Sequence, residues 1–293
     1  MGLGETCSIG SALAWSIGVI IYKRLGETLP PLRLNLLKNL LVLAMLLPTL
    51  PLVYGFAVPH LPWTAIALSL ASGALGIAVA DTLYFRALNL LGASRMGILG
   101  NLYSPFVILL SFIFLGERLA ALQVLGFALV TGGVLVISGR RADDGQAPRD
   151  RRRGLLLGAL AIVLMAVAIV MVKRVLEGQP LLWIVALRMV GGVAGLLVPF
   201  VLLREPVPAP GGTLRHTRWL PLIAAAFVGQ YVSMLLWLAG YKYTAASVAA
   251  ILNETTSVFI VLLAWLFLRE GLDVRRILGV GLTLSGVACM LLA

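Results

Sequence analysis

The second half of this 293-residue chain repeats a segment of the first half at a constant offset of 153 positions. When Ala93–Ile137 is aligned with Ala246–Met290, 17 of the 45 positions are identical, among them Glu117 and Glu270. Two unrelated leucine-rich segments would share far fewer positions. A weaker match at an offset of 150 relates the beginnings of the two halves. The repeat therefore predicts a fold of two similar halves built from the same elements.

The composition indicates a polytopic membrane protein. Hydrophobic residues make up 60% of the chain and charged residues 12%, with a mean hydropathy of +1.02, whereas soluble domains are about a quarter charged. About 20 apolar residues cross a bilayer as a helix. We predict ten such spans, at residues 6–22, 34–54, 63–85, 96–115, 119–138, 154–172, 181–203, 219–241, 246–268 and 274–292.

The number of spans in each half decides how the halves are related. The predicted organisation is a five-helix repeat at 1–139, a basic cytoplasmic linker at 140–153 and a second five-helix repeat at 154–293. An odd number of crossings starts the second repeat on the opposite side of the membrane. Inverted repeats of this kind are typical of secondary transporters, whose substrate binds between the two copies.

The positive charges predict an orientation. The net charge of +11 arises in loops between apolar spans, which favours a role in membrane orientation over nucleic-acid binding. Loops after odd-numbered spans, counted together with Arg275 and Arg276 at the start of the last span, carry 17 Lys and Arg residues, and loops after even-numbered spans carry four. The positive-inside rule then places the linker in the cytoplasm and both termini outside it, in a multi-pass protein of the inner membrane.

Two motifs carry a family resemblance. Phe114–Leu119 reads FLGERL and Phe267–Leu272 reads FLREGL, each followed by an Ile/Val-Leu-Gly triplet. Both resemble the end of an EamA repeat, which identifies the chain as similar to ten-span members of the drug/metabolite transporter superfamily. Within it the chain resembles YddG-type exporters of aromatic and other neutral amino acids. The resemblance implies an all-α membrane protein that exports amino acids, or similar small zwitterionic metabolites, by alternating access.

Other features of these segments predict local structure. Glu117 and Glu270 occupy corners between two helices, where a carboxylate can cap the free amides of the next helix. Pro105 removes a backbone donor and predicts a kink in the fourth span. We interpret both glutamates as determinants of the fold rather than of transport.

Ionisable residues inside spans indicate the substrate site, because each needs a partner or an aqueous cavity. Lys38 and Arg188 are 150 positions apart, and Asn101 and Glu254 are 153 apart, so each pair occupies matched places in the two halves. A substrate carboxylate suits a cation and an ammonium suits an acid, while aromatic rings can hold an apolar side chain. The predicted substrate-binding residues are Arg188, Glu254, Asn101, Gln230, Lys38, Tyr103, Trp15, Trp237, Asp81 and Tyr84.

Structural interpretations of the same residues remain open at this point. The stem of Lys38 is near enough to the interface to extend its ammonium into water. Asp81 is five residues from Arg86 and can pair with it. Arg188 and Glu254 can neutralise each other, and the aromatic residues can serve ordinary packing.

Rival functions are a proton-coupled exporter of lipophilic cations, an intramembrane enzyme and a scaffold. Small multidrug resistance proteins carry a glutamate midway along the first helix, whereas Ala14–Ile17 holds no acid. Sequence patterns of hydrolases are absent, so we predict no enzyme activity. Cys7 and Cys289 lack metal-ligand spacing, and we predict neither a metal nor a cofactor. The expected partners are the lipid bilayer and an amino-acid-like substrate, and coupling to a proton gradient stays open.

Overall fold

The computed structural model describes residues 2–26, 28–56, 58–100, 102–138, 148–202, 218–268 and 274–292. Within these ranges the chain is helical throughout, apart from short turns, and contains no strand. Six stretches of these residues are long and apolar enough to cross a membrane: Leu3–Gly26, Pro31–Tyr54, Trp63–Leu91, Arg149–Gly178, Leu181–Val198 and Trp219–Tyr243. The predicted all-helical fold with several membrane-spanning helices is thereby confirmed.

The helices follow one another with short connections. The first half contains α1 (Leu3–Gly26), α2 (Pro31–Tyr54), α3 (Trp63–Gly73), a π-helical segment π1 (Ala74–Ala80), α4 (Asp81–Gly100), α5 (Tyr103–Leu115) and α6 (Ala121–Ser138). The second contains α7 (Pro148–Gly178), α8 (Leu181–Leu202), α9 (Trp219–Ala226), a second π-helical segment π2 (Phe227–Val232), α10 (Ser233–Tyr243), α11 (Ala246–Asn253), α12 (Thr256–Leu268) and α13 (Val274–Leu292).

The third helix is longer than its sequence indicated. Segments α3, π1 and α4 join without a gap from Trp63 to Gly100, so residues 86–95, predicted as a loop, are helical. This stretch contains no proline, and its Leu90 and Leu91 lie directly over Gly154 of α7. Packing against α7 therefore extends the helix beyond the predicted end of the span.

Both halves interrupt a helix at the same repeat position. Helix α4 ends at Gly100 and α5 begins at Tyr103, while α11 ends at Asn253 and α12 begins at Thr256, 153 positions later. The predicted fourth and ninth spans are each made of two helical pieces. Pro105 lies in the first turn of α5, where its missing N–H is not needed. The fourth span is therefore interrupted as well as the ninth, which has Val258 in place of Pro105, so the prediction that proline bends this span was wrong about the cause.

The boundary of the second half also differs from the prediction. Helix α7 begins at Pro148, inside the segment predicted as the linker, with Asp150 in its first turn. Proline is favoured at the first helical position, and an acid there meets the positive end of the helix dipole. Residues 139–147 of the predicted linker lie outside the described residues.

Glycines allow the closest contacts between helices. A Cβ on Gly126 of α6 would lie 2.8 Å from the carbonyl oxygen of Gly286 in α13, and a Cβ on Gly133 would lie 2.6 Å from that of Gly279. Positions rise along α6 as they fall along α13, so the two helices pack antiparallel. Small residues let backbones approach where no hydrophobic force drives association. In the same way Gly73 of α3 lies directly against the backbone of Arg188 in α8.

Candidate functional site

Glu254 lies in the interruption between α11 and α12. Its side chain is buried, and Ser104 donates its hydroxyl hydrogen to the Oε1 atom of Glu254. Ser104 belongs to the first turn of α5, so the carboxylate of one half meets the positive dipole end of a helix from the other half. The backbone N–H of Ser104 also acts on this carboxylate, and the several lone pairs of its two oxygens leave it able to accept a further donor.

Arg188 is a buried cation held by hydroxyl and carbonyl oxygens. Its Nη1 donates to the hydroxyl of Ser72 and, at 3.4 Å, to the carbonyl oxygen of Ala168. Ser72 donates in turn to the same carbonyl at 2.5 Å. The side chain is 3% exposed and its Nε has no hydrogen-bond partner. Among the described residues no carboxylate forms an ion pair with this guanidinium, and Asp81 acts on it only from a longer distance.

A row of aromatic side chains leads from Arg188 towards Glu254. The guanidinium carbon lies 5.8 Å from the ring centre of Trp237, and Trp237 contacts Tyr241 edge to face with ring centres 5.1 Å apart. The hydroxyls of Tyr241 and Tyr103 are 2.8 Å apart. Tyr103 directly precedes Ser104, the partner of Glu254. The row therefore joins a buried cation to a buried acid through rings contributed by both halves.

Lys38 forms a separate buried cluster. Its Nζ lies 3.0 Å from Oδ2 of Asp81, and the two side chains are 0% and 16% exposed. The ammonium also lies 5.8, 5.7 and 5.0 Å from the ring centres of Trp15, Tyr22 and Phe85, within the range of cation–π attraction. We refer to these five residues as the lysine cage.

The π-helical segments lie beside both clusters. Asn35 of α2 donates to the carbonyl oxygen of Ile77 in π1 at 2.9 Å and to the hydroxyl of Thr82 at 3.2 Å. Segment π2 holds Gln230, which is 7% exposed and whose Oε1 is buried without a hydrogen-bond partner. Such segments are rare and frequently occur at functional sites. Here π1 offers the carbonyl oxygen of Ile77 to Asn35, and π2 holds the unpaired Oε1 of Gln230.

The structure divides the predicted site residues into groups. Arg188, Trp237, Tyr103 and Glu254 belong to the aromatic row and its two ends. Lys38, Asp81 and Trp15 belong to the lysine cage, and Tyr84 contacts the cage residue Phe85 with ring centres 6.0 Å apart. Gln230 is in π2, and Asn101 lies outside the described residues.

Several structural interpretations of these residues are wrong. Lys38 is fully buried and does not extend to the interface. Asp81 pairs with Lys38 rather than with Arg86, which is exposed. Arg188 and Glu254, both within the described part of the chain, form no ion pair and have the separate partners given above.

Sequence reasoning missed some residues of both clusters. Tyr22, Phe85, Ser72, Ser104 and Tyr241 were not predicted. In the sequence Ser72 precedes Gly76 by four positions, a spacing of small residues that is common on helix-packing faces. Ser104 is identical to Ser257 at the matched position of the repeat. Neither observation distinguishes a hydrogen-bonding role from packing.

Glu117 caps a helix, but the prediction that this would be the next helix of the chain was wrong, because the helix it caps belongs to the other half. Its Oε1 accepts the Ala246 N–H at 2.8 Å, and its Oε2 accepts the Ser247 N–H at 3.0 Å and the Ser247 hydroxyl at 2.6 Å. These are free donors at the start of α11. Glu117 therefore ties the α5–α6 corner to the turn between α10 and α11. The corresponding role of Glu270 lies outside the described residues.

The profile of the EamA-like transporter family matches this chain twice, over residues 2–139 and 152–292. This chain belongs to the EamA-like transporter family. EamA-like proteins are membrane transporters, so the function of the chain as a multi-pass membrane transporter follows from membership together with its candidate spans. Among the described residues no group of three or more metal-ligating side chains occurs.

Individual relatives of this EamA-like protein agree with that assignment. Protein PecM of Dickeya dadantii (strain 3937) is 29% identical over 251 residues, which cover 82% of this chain and 79% of PecM. An uncharacterized transporter encoded in the cobO 3' region of a Sinorhizobium species is 38% identical over 82 residues, 28% of this chain and 55% of the relative. A crystal structure with 24% sequence identity superposes with a TM-score of 0.81 over 99% of this chain and 96% of its own, which shows the shared fold.

Proposed function

We propose that this EamA-like protein exports amino acids, aromatic and other neutral ones above all, or similar small zwitterionic metabolites across the inner membrane. The observation that carries the proposal is the buried guanidinium of Arg188, which has an unpaired Nε and lies against the ring of Trp237. A buried charge without a counter-charge is costly. A substrate carboxylate would neutralise it, and the aromatic row would hold an apolar side chain.

The acid at the other end of the row suits the second charge of a zwitterion. Oε2 of Glu254 can accept a substrate ammonium while Ser104 holds Oε1. Gln230 adds an unpaired buried acceptor on the helix that carries Trp237. Asn101 is included among the proposed substrate-binding residues because it matches Glu254 at the repeat offset of 153 positions.

An inverted pair of halves supports transport by alternating access. The π-helical segments begin 153 positions apart, and the two helix interruptions lie at positions that also differ by 153. Helices α6 and α13 occupy matched repeat positions yet pack antiparallel through their glycines. The family profile also matches once in each half. These observations support ten spans in two inverted five-helix repeats, with the substrate between them.

The contacts of the minority cations support the proposed orientation. Lys242 donates to the carbonyl oxygens of Leu176 and Gln179 at the end of α7, at 2.5 and 2.7 Å, and Arg174 donates to that of Phe114 at the end of α5 at 3.0 Å. Cations stabilise the negative end of a helix. These residues on the sparsely charged face therefore have a structural reason to be there, and the remaining bias places both termini outside the cytoplasm.

Export of lipophilic cations is the alternative function. The structure gives a reason to prefer the zwitterion. An unpaired guanidinium beside the aromatic row repels a cationic substrate, whereas it attracts a carboxylate. The acid of the first half, the partly buried Asp81, is already paired with Lys38.

The test is exchange of labelled amino acids in proteoliposomes without any gradient. Replacing Arg188 with Ala removes charged hydrogen bonds to the substrate, which should weaken apparent affinity about 10- to 100-fold. Arg188→Lys should recover only part of it, because an ammonium cannot present two parallel donors. Arg174→Ala removes an exposed arginine and is the matched control.

The possible results separate the two functions. Wild-type exchange by Arg188→Ala would contradict the proposed site. Absence of exchange with every amino acid, together with transport of a lipophilic cation, would favour the alternative function.

A further inference from the structure

The lysine cage contains a buried ion pair that the proposed substrate site does not use. Lys38 is completely buried, whereas the side chain of Asp81 is 16% exposed. The acid is therefore the member of the pair whose side chain is not fully covered by protein. Arg188, at the matched position of the other half, has no acidic partner among the described residues, so this arrangement exists in the first half and not in its copy.

The rings around Lys38 give its charge a second source of stabilisation. Breaking a buried pair normally leaves one charge uncompensated and is strongly destabilising. Here the faces of Trp15, Tyr22 and Phe85 lie within 6 Å of the ammonium, and cation–π attraction increases where water is excluded. The ammonium therefore keeps three partners when the charge of Asp81 is removed.

We propose that Asp81 is a proton-exchange site, with the ammonium of Lys38 kept in place by the aromatic rings. In one state the carboxylate is ionised and paired. In the other, Oδ2 carries a proton taken from water on one side of the membrane, which it later releases to water on the other side, while Lys38 remains an ammonium throughout. This inference rests on the proposed transport function and adds its energy source.

Charged and titratable groups face Asp81 from several helices. Lys38 faces it from α2, Tyr22 from α1, Tyr84 from α4 itself, and Arg188 acts on it electrostatically from α8. Both tyrosines are neutral donors and do not replace Lys38 as the counter-charge. Loss of the Lys38 charge should therefore disturb the site more than any other single change.

Two contacts join the cage to the rest of the protein. The hydroxyl of Tyr22 donates to the carbonyl oxygen of Ala225 in α9 at 2.8 Å, directly before π2. Asn35 holds both the carbonyl of Ile77 in π1 and the hydroxyl of Thr82, the neighbour of Asp81. Protonation of Asp81 changes the charge beside Thr82 and within the cage that Tyr22 joins to α9, so it bears on a contact between the two halves.

The experiment compares two assays in proteoliposomes that hold a transported amino acid. Exchange without a gradient tests the proposed function, and accumulation driven by a pH gradient tests the proton site. In Asp81→Asn we expect exchange to persist and gradient-driven accumulation to fall to the level without a gradient. Glu177→Gln, which removes the acid of the partly exposed Lys173–Glu177 pair, should keep both activities.

A second variant covers the case in which Asp81→Asn fails to fold. The double variant Lys38→Met, Asp81→Leu removes both charges at similar volume, which restores the balance of a buried pair. We expect it to fold and to exchange substrate without responding to the gradient. A purely structural pair predicts the opposite, namely that the double variant recovers gradient-driven accumulation.

Three results would overturn the proposal. One is gradient-driven accumulation by the double variant. Another is a wild-type protein that exchanges amino acids but does not accumulate them when a pH gradient is applied. That result would contradict the proton site and would still agree with the proposed transport function. The third is loss of coupling in Glu254→Gln while Asp81→Asn retains it, which would assign proton exchange to Glu254.

Discussion

The hydrogen bonds by which Glu117 caps α11 permit an estimate of how much this residue contributes to the free energy of unfolding. Its carboxylate accepts two backbone N–H groups and the Ser247 hydroxyl, at distances between 2.6 and 3.0 Å. A hydrogen bond to a charged group contributes about 1.5–3 kcal/mol. All three bonds are partly buried, so water can replace part of them in a variant. We expect Glu117→Ala to lower the free energy of unfolding by about 3 kcal/mol.

This loss is measurable as a melting temperature. A change of 1 kcal/mol shifts the melting temperature by about 2–4 °C for 150–250 residues, and the present chain is longer. Glu117→Ala should therefore melt about 6 °C below the wild type in detergent. Size-exclusion chromatography of heated samples measures this melting temperature. Ser247→Ala removes only the bond of 2.6 Å and should lose about a third of that amount.

A double-mutant cycle checks the cause of the shift. Since Glu117 and Ser247 act on each other, Ser247→Ala should have almost no effect in the Glu117→Ala background. Equal effects of Ser247→Ala in both backgrounds would show that the two residues act independently. A wild-type melting temperature for Glu117→Ala would refute the capping argument itself.

Two further predictions concern the substrate and the orientation. Glu254→Gln removes the charge of the side chain and keeps its shape. The variant should raise the apparent KM for zwitterionic amino acids, with little change for analogues that lack the amino group. Equal effects on both kinds of substrate would exclude ammonium binding. Reporter fusions after Ala293 should report the extracytoplasmic side and fusions within Arg140–Arg153 the cytoplasm, and the reverse pattern would show that the charge bias misleads.

Two kinds of structural feature could be predicted from the sequence: those at matched positions of the internal repeat, and those that follow from the type of residue. The matched positions of Lys38 and Arg188 led to two buried cations, since a charge inside an apolar span must find a partner in the interior. The resemblance of the corner around Glu117 to an EamA repeat agrees with the family match over both halves. Helical fold class follows in the same way from long apolar stretches, because an isolated helix satisfies its own backbone in lipid.

Partners distant in sequence were not predictable in this way. Asp81 lies 43 positions from Lys38, so the nearby Arg86 was the natural candidate. Glu117 was expected to cap its own next helix, but it reaches a helix 129 positions away. Each choice depends on how helices pack against each other, which residue type and local spacing do not record.

The glycine contacts between α6 and α13 have a consequence for the origin of such a chain. Each helix offers two glycines seven positions apart, and each contacts the opposite glycine of its partner. A surface that pairs with its own copy in this way is isologous, as in a twofold dimer. A gene for one half alone would thus encode a helix already able to pair with itself, and duplication followed by fusion would conserve the interface while freeing each half to diverge.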